Sequence, residues 1–224
     1  MFLALCSAVT VGTAPPPLAG VYILEGGGGT LTIARTPKAL TFQIEVMGTN
    51  AHTCSVEGVV VGTEGRVTAD ACVVHLEVVG NGVQVSAGDA EACRGWCGAR
   101  AWFEGRYLTP APTCRDARVK AARAAFKKHY AAKAWAAAKA DLLPLLATCA
   151  PLLFRFDLAW IRNDLSITLH HLGDDAGCLK VLEPLRELAG SPDDELGGSE
   201  PMFEDEYRKL AKATRTNLAA CGDN

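Results

Sequence analysis

The chain has 224 residues, 49% apolar and 21% charged, a globular composition with room for one large domain or two of ordinary size. Its formal net charge of −3 argues against a nucleic-acid partner, because phosphate binding needs a basic face. After the first 14 residues no window approaches 18 uninterrupted apolar positions, so no transmembrane segment is expected in the mature chain.

Residues 1–14, MFLALCSAVTVGTA, have the apolar character of a secretory signal, and Pro15-Pro16-Pro17 follow, so residues 1–17 read as a leader. No Lys or Arg precedes the apolar run, and the alternative is that residues 2–11 form a buried strand. From Gly20 the pattern has period two. Leu31 and Ile33 alternate with threonines, and Leu40, Phe42, Ile44 and Val46 with Thr41, Gln43, Glu45 and Met47. The runs Cys72–Val78 and Val83–Val85 repeat the alternation. Turn signals punctuate them at Gly26–Gly29, Thr36-Pro37, Gly48-Thr49-Asn50, Gly62–Gly65 and Gly80-Asn81-Gly82. Seven or eight short strands at this spacing predict a small antiparallel β-barrel or sandwich over residues 18–108.

The pattern changes at Thr109-Pro110-Ala111-Pro112, a linker over 109–112. Residues 113–224 read as an all-α module, which makes the whole an α+β protein of two modules. Thr113 and Asp116 form a T-x-x-D start signal. Apolar residues then recur at helical spacing: Val119, Ala122, Phe126 and Tyr130; Trp135, Ala138, Leu142 and Leu145; Leu158, Ile161, Leu165 and Leu169 up to Gly173. Asp174 or Asp175 starts the next helix, and a last one carries Phe203, Tyr207, Leu210, Thr214 and Cys221.

Eight of the nine cysteines divide evenly between the halves: Cys54, Cys72, Cys93 and Cys97, then Cys114, Cys149, Cys178 and Cys221. Even sets suit two independently stapled modules in an oxidising compartment, periplasmic or secreted. Four cysteines allow three pairings per half. Helical-hairpin geometry favours Cys114 with Cys149 and Cys178 with Cys221. A hairpin turning at Gly62–Gly65 favours Cys54 with Cys72 and leaves Cys93 to close a small loop on Cys97. A bridge closing about 20 residues contributes roughly 3 kcal/mol.

Charge is uneven. Residues 115–139 hold Arg115, Arg118, Lys120, Arg123, Lys127, Lys128, Lys133 and Lys139 against Asp116 alone, and residues 193–206 hold seven acids and no base. Two readings stand: solvated faces that attract one another, or a basic helix that meets an anionic surface.

Nothing resembles a catalytic constellation. G-x-S-x-G, H-E-x-x-H, the P-loop and G-x-G-x-x-G are all missing, and Gly26–Gly29 lacks the lysine that would hold phosphate. No enzyme activity and no cofactor are expected. His170 and His171 with Asp174 and Asp175 are the best metal candidates, but adjacent helical residues point about 100° apart, and no metal site is assigned. The segment CRGWCGARAWFEGRY, 93–107, concentrates the residue types that dominate protein interfaces. Its candidate binding residues are Arg94, Trp96, Arg100, Trp102, Arg106 and Tyr107; otherwise the segment is the barrel's closing strand with its tryptophans inside.

The stapled β half, with Glu104-Gly105-Arg106-Tyr107, resembles the exported β-barrel inhibitors of c-type lysozyme from Gram-negative bacteria. That family's Ser-Gly-x-x-Tyr contact motif has no match here, so the resemblance implies a fold and a compartment, not inhibitory residues. In the α half, YAAKAWAAAKADLLPLL (130–146) aligns with LGDDAGCLKVLEPL (172–185) at an offset of 40 residues. Residues 115–190 thereby resemble tetratricopeptide-type repeats, whose usual period is about 34, with a plain helical bundle as the alternative. The expected function is an exported, non-enzymatic binding protein with a protein partner such as a cell-wall hydrolase. The alternative is an adaptor that takes a peptide or envelope protein in a helical groove lined by Tyr130, Trp135, Trp160 and Arg162.

Overall fold

The structure, a computed structural model, describes residues 15–68 and 70–222, so nearly all of the leader assignment lies outside the described residues. Eight strands follow in chain order: β1 (Gly20–Leu24), β2 (Gly29–Arg35), β3 (Leu40–Met47), β4 (Thr53–Val61), β5 (Glu64–Val67), β6 (Val73–Val79), β7 (Gly82–Ala87) and β8 (Gly105–Leu108). Each pairs antiparallel with its neighbours, and β8 closes on β1, so the β half is an up-and-down barrel and not a sandwich.

Period-two alternation decides what fills it. Leu31, Ile33, Phe42, Ile44, Val56, Val74, Leu76, Val83 and Val85 point inward and are buried. An eight-stranded barrel is just wide enough for side chains to fill it. Fully burying one such side chain contributes roughly 2 kcal/mol. Tyr107 and Phe103 are the largest side chains inside, and the Tyr107 hydroxyl donates to the Phe103 carbonyl at 2.8 Å. Between β7 and β8 the chain crosses the barrel end as α1 (Ala90–Cys93), capped by the Asp89 carboxylate, and a 3₁₀ turn, Arg94–Trp96.

Six helices make the second half: α2 (Asp116–Ala131), α3 (Trp135–Pro144), α4 (Arg155–His171), α5 (Asp175–Leu182), α6 (Arg186–Gly190) and α7 (Glu204–Ala220). Among the described residues no helix is long and apolar enough to cross a membrane. Thr113 does not cap α2. It lies in a 3₁₀ turn, Pro112–Cys114, and Arg115 takes the N-cap position. Asp174 does cap α5, accepting from the Gly177 amide at 2.9 Å.

The turns that join α2 to α3 and α4 to α5 share their two closing bonds. Lys133 N donates to Tyr130 O and Ala134 N to His129 O; forty residues on, Gly173 N donates to His170 O and Asp174 N to Leu169 O. Lys133 (φ 56°) and Gly173 (φ 77°) share the left-handed conformation.

The sequence-based cysteine pairing holds in the α half, with Cys114–Cys149 and Cys178–Cys221. It fails in the β half, where the bridges are Cys54–Cys97 and Cys72–Cys93. β4 pairs with β5 only from Gly58 onward, and β5 ends at Val67, so the chain leaves the hairpin before it reaches Cys72, just ahead of β6. The crossing segment fills the gap: Cys97 forms a β-bridge with Cys54, and Cys93 ends α1 beside β6.

The two halves dock directly. The Gly26 amide donates to the Pro151 carbonyl at 2.7 Å. Gly27 (φ 73°) lies so close to the backbone of Leu153 and Phe154 that a Cβ would collide with it. The glycine run therefore serves close approach of the helical half.

Candidate functional site

The crossing segment is fixed at two points four residues apart. Cys93 ties it to Cys72, just before β6, and Cys97 ties it to Cys54 on β4. Two bridges to different parts of one barrel leave the intervening Arg94-Gly95-Trp96 little freedom, which lowers the ordering cost of any contact made there. Arg94 is exposed; its guanidinium donates to the Ala99 carbonyl at 2.8 Å and lies 5.6 Å from the centre of the Trp102 ring. Trp102 stacks on Phe103 at 4.8 Å and is half-buried, as is Trp96.

The six residues singled out from the sequence do not form one surface. Arg94, Trp96 and Trp102 gather at the capped barrel end. Arg100, also at that end, reaches into the helical half and donates to the Ser199 carbonyl at 2.6 Å. Arg106 is exposed on the outer wall, opposite Gln84 of β7 and near the β6–β7 turn. Tyr107 is completely buried, and burial pushes its phenol well above the ordinary tyrosine range. It is a core residue of the closing strand and presents nothing to a partner.

Sequence reasoning missed the cleft beside this segment. A space of about 610 Å³ lies between the outer wall of β1–β4 and the helical half. Its walls are apolar at Ile23, Val46, Val119, Leu153 and Phe154, and Glu45, Asp116 and Asp157 are its charged lining residues. Lys120 pairs with Asp116 at 2.7 Å and Arg123 with Asp157 at 2.6 Å, while Glu45 accepts from Gln43 at 3.0 Å. Cys54 lines the cleft too, so its bridge to Cys97 joins cleft and stapled segment. The only sequence signal was the outward polar face of β3 and β4.

A latch of polar contacts holds the halves at the same end. Glu200 accepts from Arg155 at 2.5 Å, from the Asn50 amide at 3.2 Å and from the Tyr207 hydroxyl. The Asn50 side chain accepts from the Met202 amide at 3.0 Å. Arg155 lies over Phe154, Phe156 and Phe203, with centroids at 4.7, 4.7 and 5.5 Å. Burial disfavours ionised Glu200, but the bonds from Tyr207, Asn50 and Arg155 outweigh it, and its carboxyl sits below the usual range.

The His-Asp cluster separates into different tasks. His170 Nδ1 bonds Asp175 at 2.6 Å, His171 stacks on Trp135 at 4.1 Å, and Asp174 caps α5. Cys221 lies with His170 and Asp175, their donor atoms within 4.8 Å of one another, but its sulfur is bonded to Cys178. The four groove residues of the adaptor reading also part. Tyr130 and Trp135 pack together at 5.0 Å, Trp160 donates to Glu206 on α7 at 2.5 Å, and Arg162 donates to the Val181 carbonyl on α5 at 3.1 Å.

No protein-family model matches the chain, and neither a curated protein nor a solved structure matches it.

Proposed function

We propose that this chain is an exported, non-enzymatic binding protein that engages a protein partner at the capped end of its barrel, and that the partner is a cell-wall hydrolase of the lysozyme class. The observation that carries this reading is the double staple: Cys93 and Cys97 anchor a short segment with exposed Arg94 at two separate places on the barrel. A plug that is rigid before it meets its target loses little entropy on binding. The adjoining cleft, with its apolar walls and the Glu45 carboxylate, suits a basic side chain of the partner beside the plug. Four bridges suit an oxidising compartment, periplasmic or secreted.

Lysis of a peptidoglycan suspension by c-type lysozyme, with and without the oxidised chain, tests this reading. Stoichiometric inhibition is expected, with Arg94→Ala weakening it about ten-fold at unchanged stability. Full lysis at a large excess of the oxidised chain contradicts it. The adaptor reading draws support from the matched α2–α3 and α4–α5 turns, which suit a tetratricopeptide-type array. What weighs against it is that the four side chains have different partners: Tyr130 and Trp135 pack on each other, Trp160 bonds Glu206 of α7, and Arg162 bonds the Val181 carbonyl of α5.

A further inference from the structure

Among the described residues, no ion pair joins the basic stretch 115–139 to the acids of residues 193–206. Asp193 pairs with Arg215, Glu200 with Arg155, and Glu204 with Arg208. Those acids latch the barrel and brace α7. Within the basic stretch, Lys120 and Arg123 pair with Asp116 and Asp157. Among the described residues, none of Arg118, Lys127 and Lys128 has an ion-pair partner.

The helix geometry decides what these cations face. α2 turns Val119 and Phe126 into the core, and α3 is its main packing partner. At 100° per residue, Lys128 lies opposite that core, Arg118 lies on one flank, and Lys120 and Lys127 lie on the other, toward α4 and its Asp164. All four are exposed, and the positions between them are alanines such as Ala121 and Ala124. The face is shallow and carries no aromatic or branched side chain; Lys120 takes up the one acid of the helix, Asp116, and Arg118, Lys127 and Lys128 are left as cations without an ion pair among the described residues. A second copy of the face is repelled, and an apolar peptide finds nothing to bury. A shallow anionic surface complements it.

We infer that the outward face of α2 is an electrostatic docking surface for a bilayer rich in anionic phospholipid headgroups. With no apolar anchor, the attachment is peripheral, reversible and salt-sensitive. Each cation near such a surface strengthens binding roughly five-fold. The inference stands apart from hydrolase inhibition and does not require it.

Co-sedimentation of the intact oxidised chain with vesicles, in low salt, tests it. Vesicles of phosphatidylcholine alone are expected to leave the protein in solution. Vesicles that also contain phosphatidylglycerol are expected to carry it down and to release it at about 0.5 M salt. The pair Arg118→Gln and Lys128→Gln is expected to weaken partitioning roughly 25-fold with no change in melting temperature. Lys38→Gln with Lys180→Gln removes the same charge from exposed sites on other elements, and partitioning is expected to change less than two-fold. Failure to bind the anionic vesicles overturns the inference, as does equal binding to both vesicle types or equal loss in the two double variants.

Discussion

The barrel and the helical half solve the same packing problem with different cores. Every buried residue of the barrel cluster is apolar apart from the hydroxyls of Tyr22 and Tyr107, and its backbone groups are satisfied by ladders that close on themselves. The helical half buries Asn163, Ser166, Thr168, Thr214 and Asn217. Four of these form one network across α4 and α7. Asn163 donates to Thr214 at 3.1 Å, and Asn217 donates to Asn163 and to Ser166 at 3.2 and 3.1 Å. A barrel's register is set by strand pairing, so its core needs only to be apolar and of the right volume. Two helices can slide and rotate against each other, and a satisfied polar network removes that freedom.

The contrast can be broken from either side. The largest effect belongs to Tyr107→Ala, which empties the barrel interior; equilibrium unfolding should show a loss of about 3–5 kcal/mol. Asn217→Ala removes three donor contacts and leaves Asn163 and Ser166 oxygens buried without them, at a cost of about 2 kcal/mol. If that cost is near zero, the network does not fix the α4–α7 crossing.

A third test sharpens the picture of α4. Burial pushes the Asp164 carboxyl up to about 6, against the pull of Arg123 and Lys127. A carboxyl raised above its unfolded value favours the fold below about pH 4, and that contribution is lost as pH rises through about 6. Asp164→Asn should therefore stabilise the chain by roughly 2 kcal/mol at pH 8 and by little near pH 4. Denaturant melts at the two pH values read this directly, and an equal effect at both would refute it.

Arg155→Ala acts on the joint between the halves at one remove, by releasing Glu200, the acid that also accepts from the Asn50 amide. Since Arg155 is partly exposed, the expected loss in a thermal melt is only about 1–2 kcal/mol, and no loss would show that Glu200 holds Asn50 without it. The smallest change compares the two helical hairpins. Lys133→Gly gives the first turn the residue that the second has at Gly173, and should raise stability by about 0.5–1 kcal/mol.

The barrel was legible because alternation over Leu31–Ile33, Phe42–Val46 and Val83–Val85 is a direct image of inside and outside. The hairpin bridges in the α half were legible because helix ends meet where loop length puts them. The β-half bridges were not, since Cys93 and Cys97 sit on a crossing whose path depends on barrel closure and not on any local period. Tyr107 looked like an interface residue for the same reason: composition marked it as a contact, and only the closed barrel turns it inward. Asn163, Ser166 and Asn217 carry polar side chains that hide a core face from any hydrophobic pattern. The cleft joins residues from four strands and two helices, a meeting that no sequence window contains.

The doubly anchored segment is the centre of the functional account, and its bridges can be read without reduction. Trypsin cuts after Arg66, Arg94 and Arg100, which places Cys54 in peptide 39–66, Cys72 with Cys93 in 67–94, and Cys97 in 95–100. Mass spectrometry of the unreduced digest should show 67–94 bridged within itself and 39–66 joined to 95–100. A digest in which 67–94 is instead linked to both neighbours, and in which further cleavage after Glu77 leaves the Cys93 fragment joined to 95–100, would mean Cys54–Cys72 and Cys93–Cys97, a loose loop in place of the anchored plug, and would contradict the account.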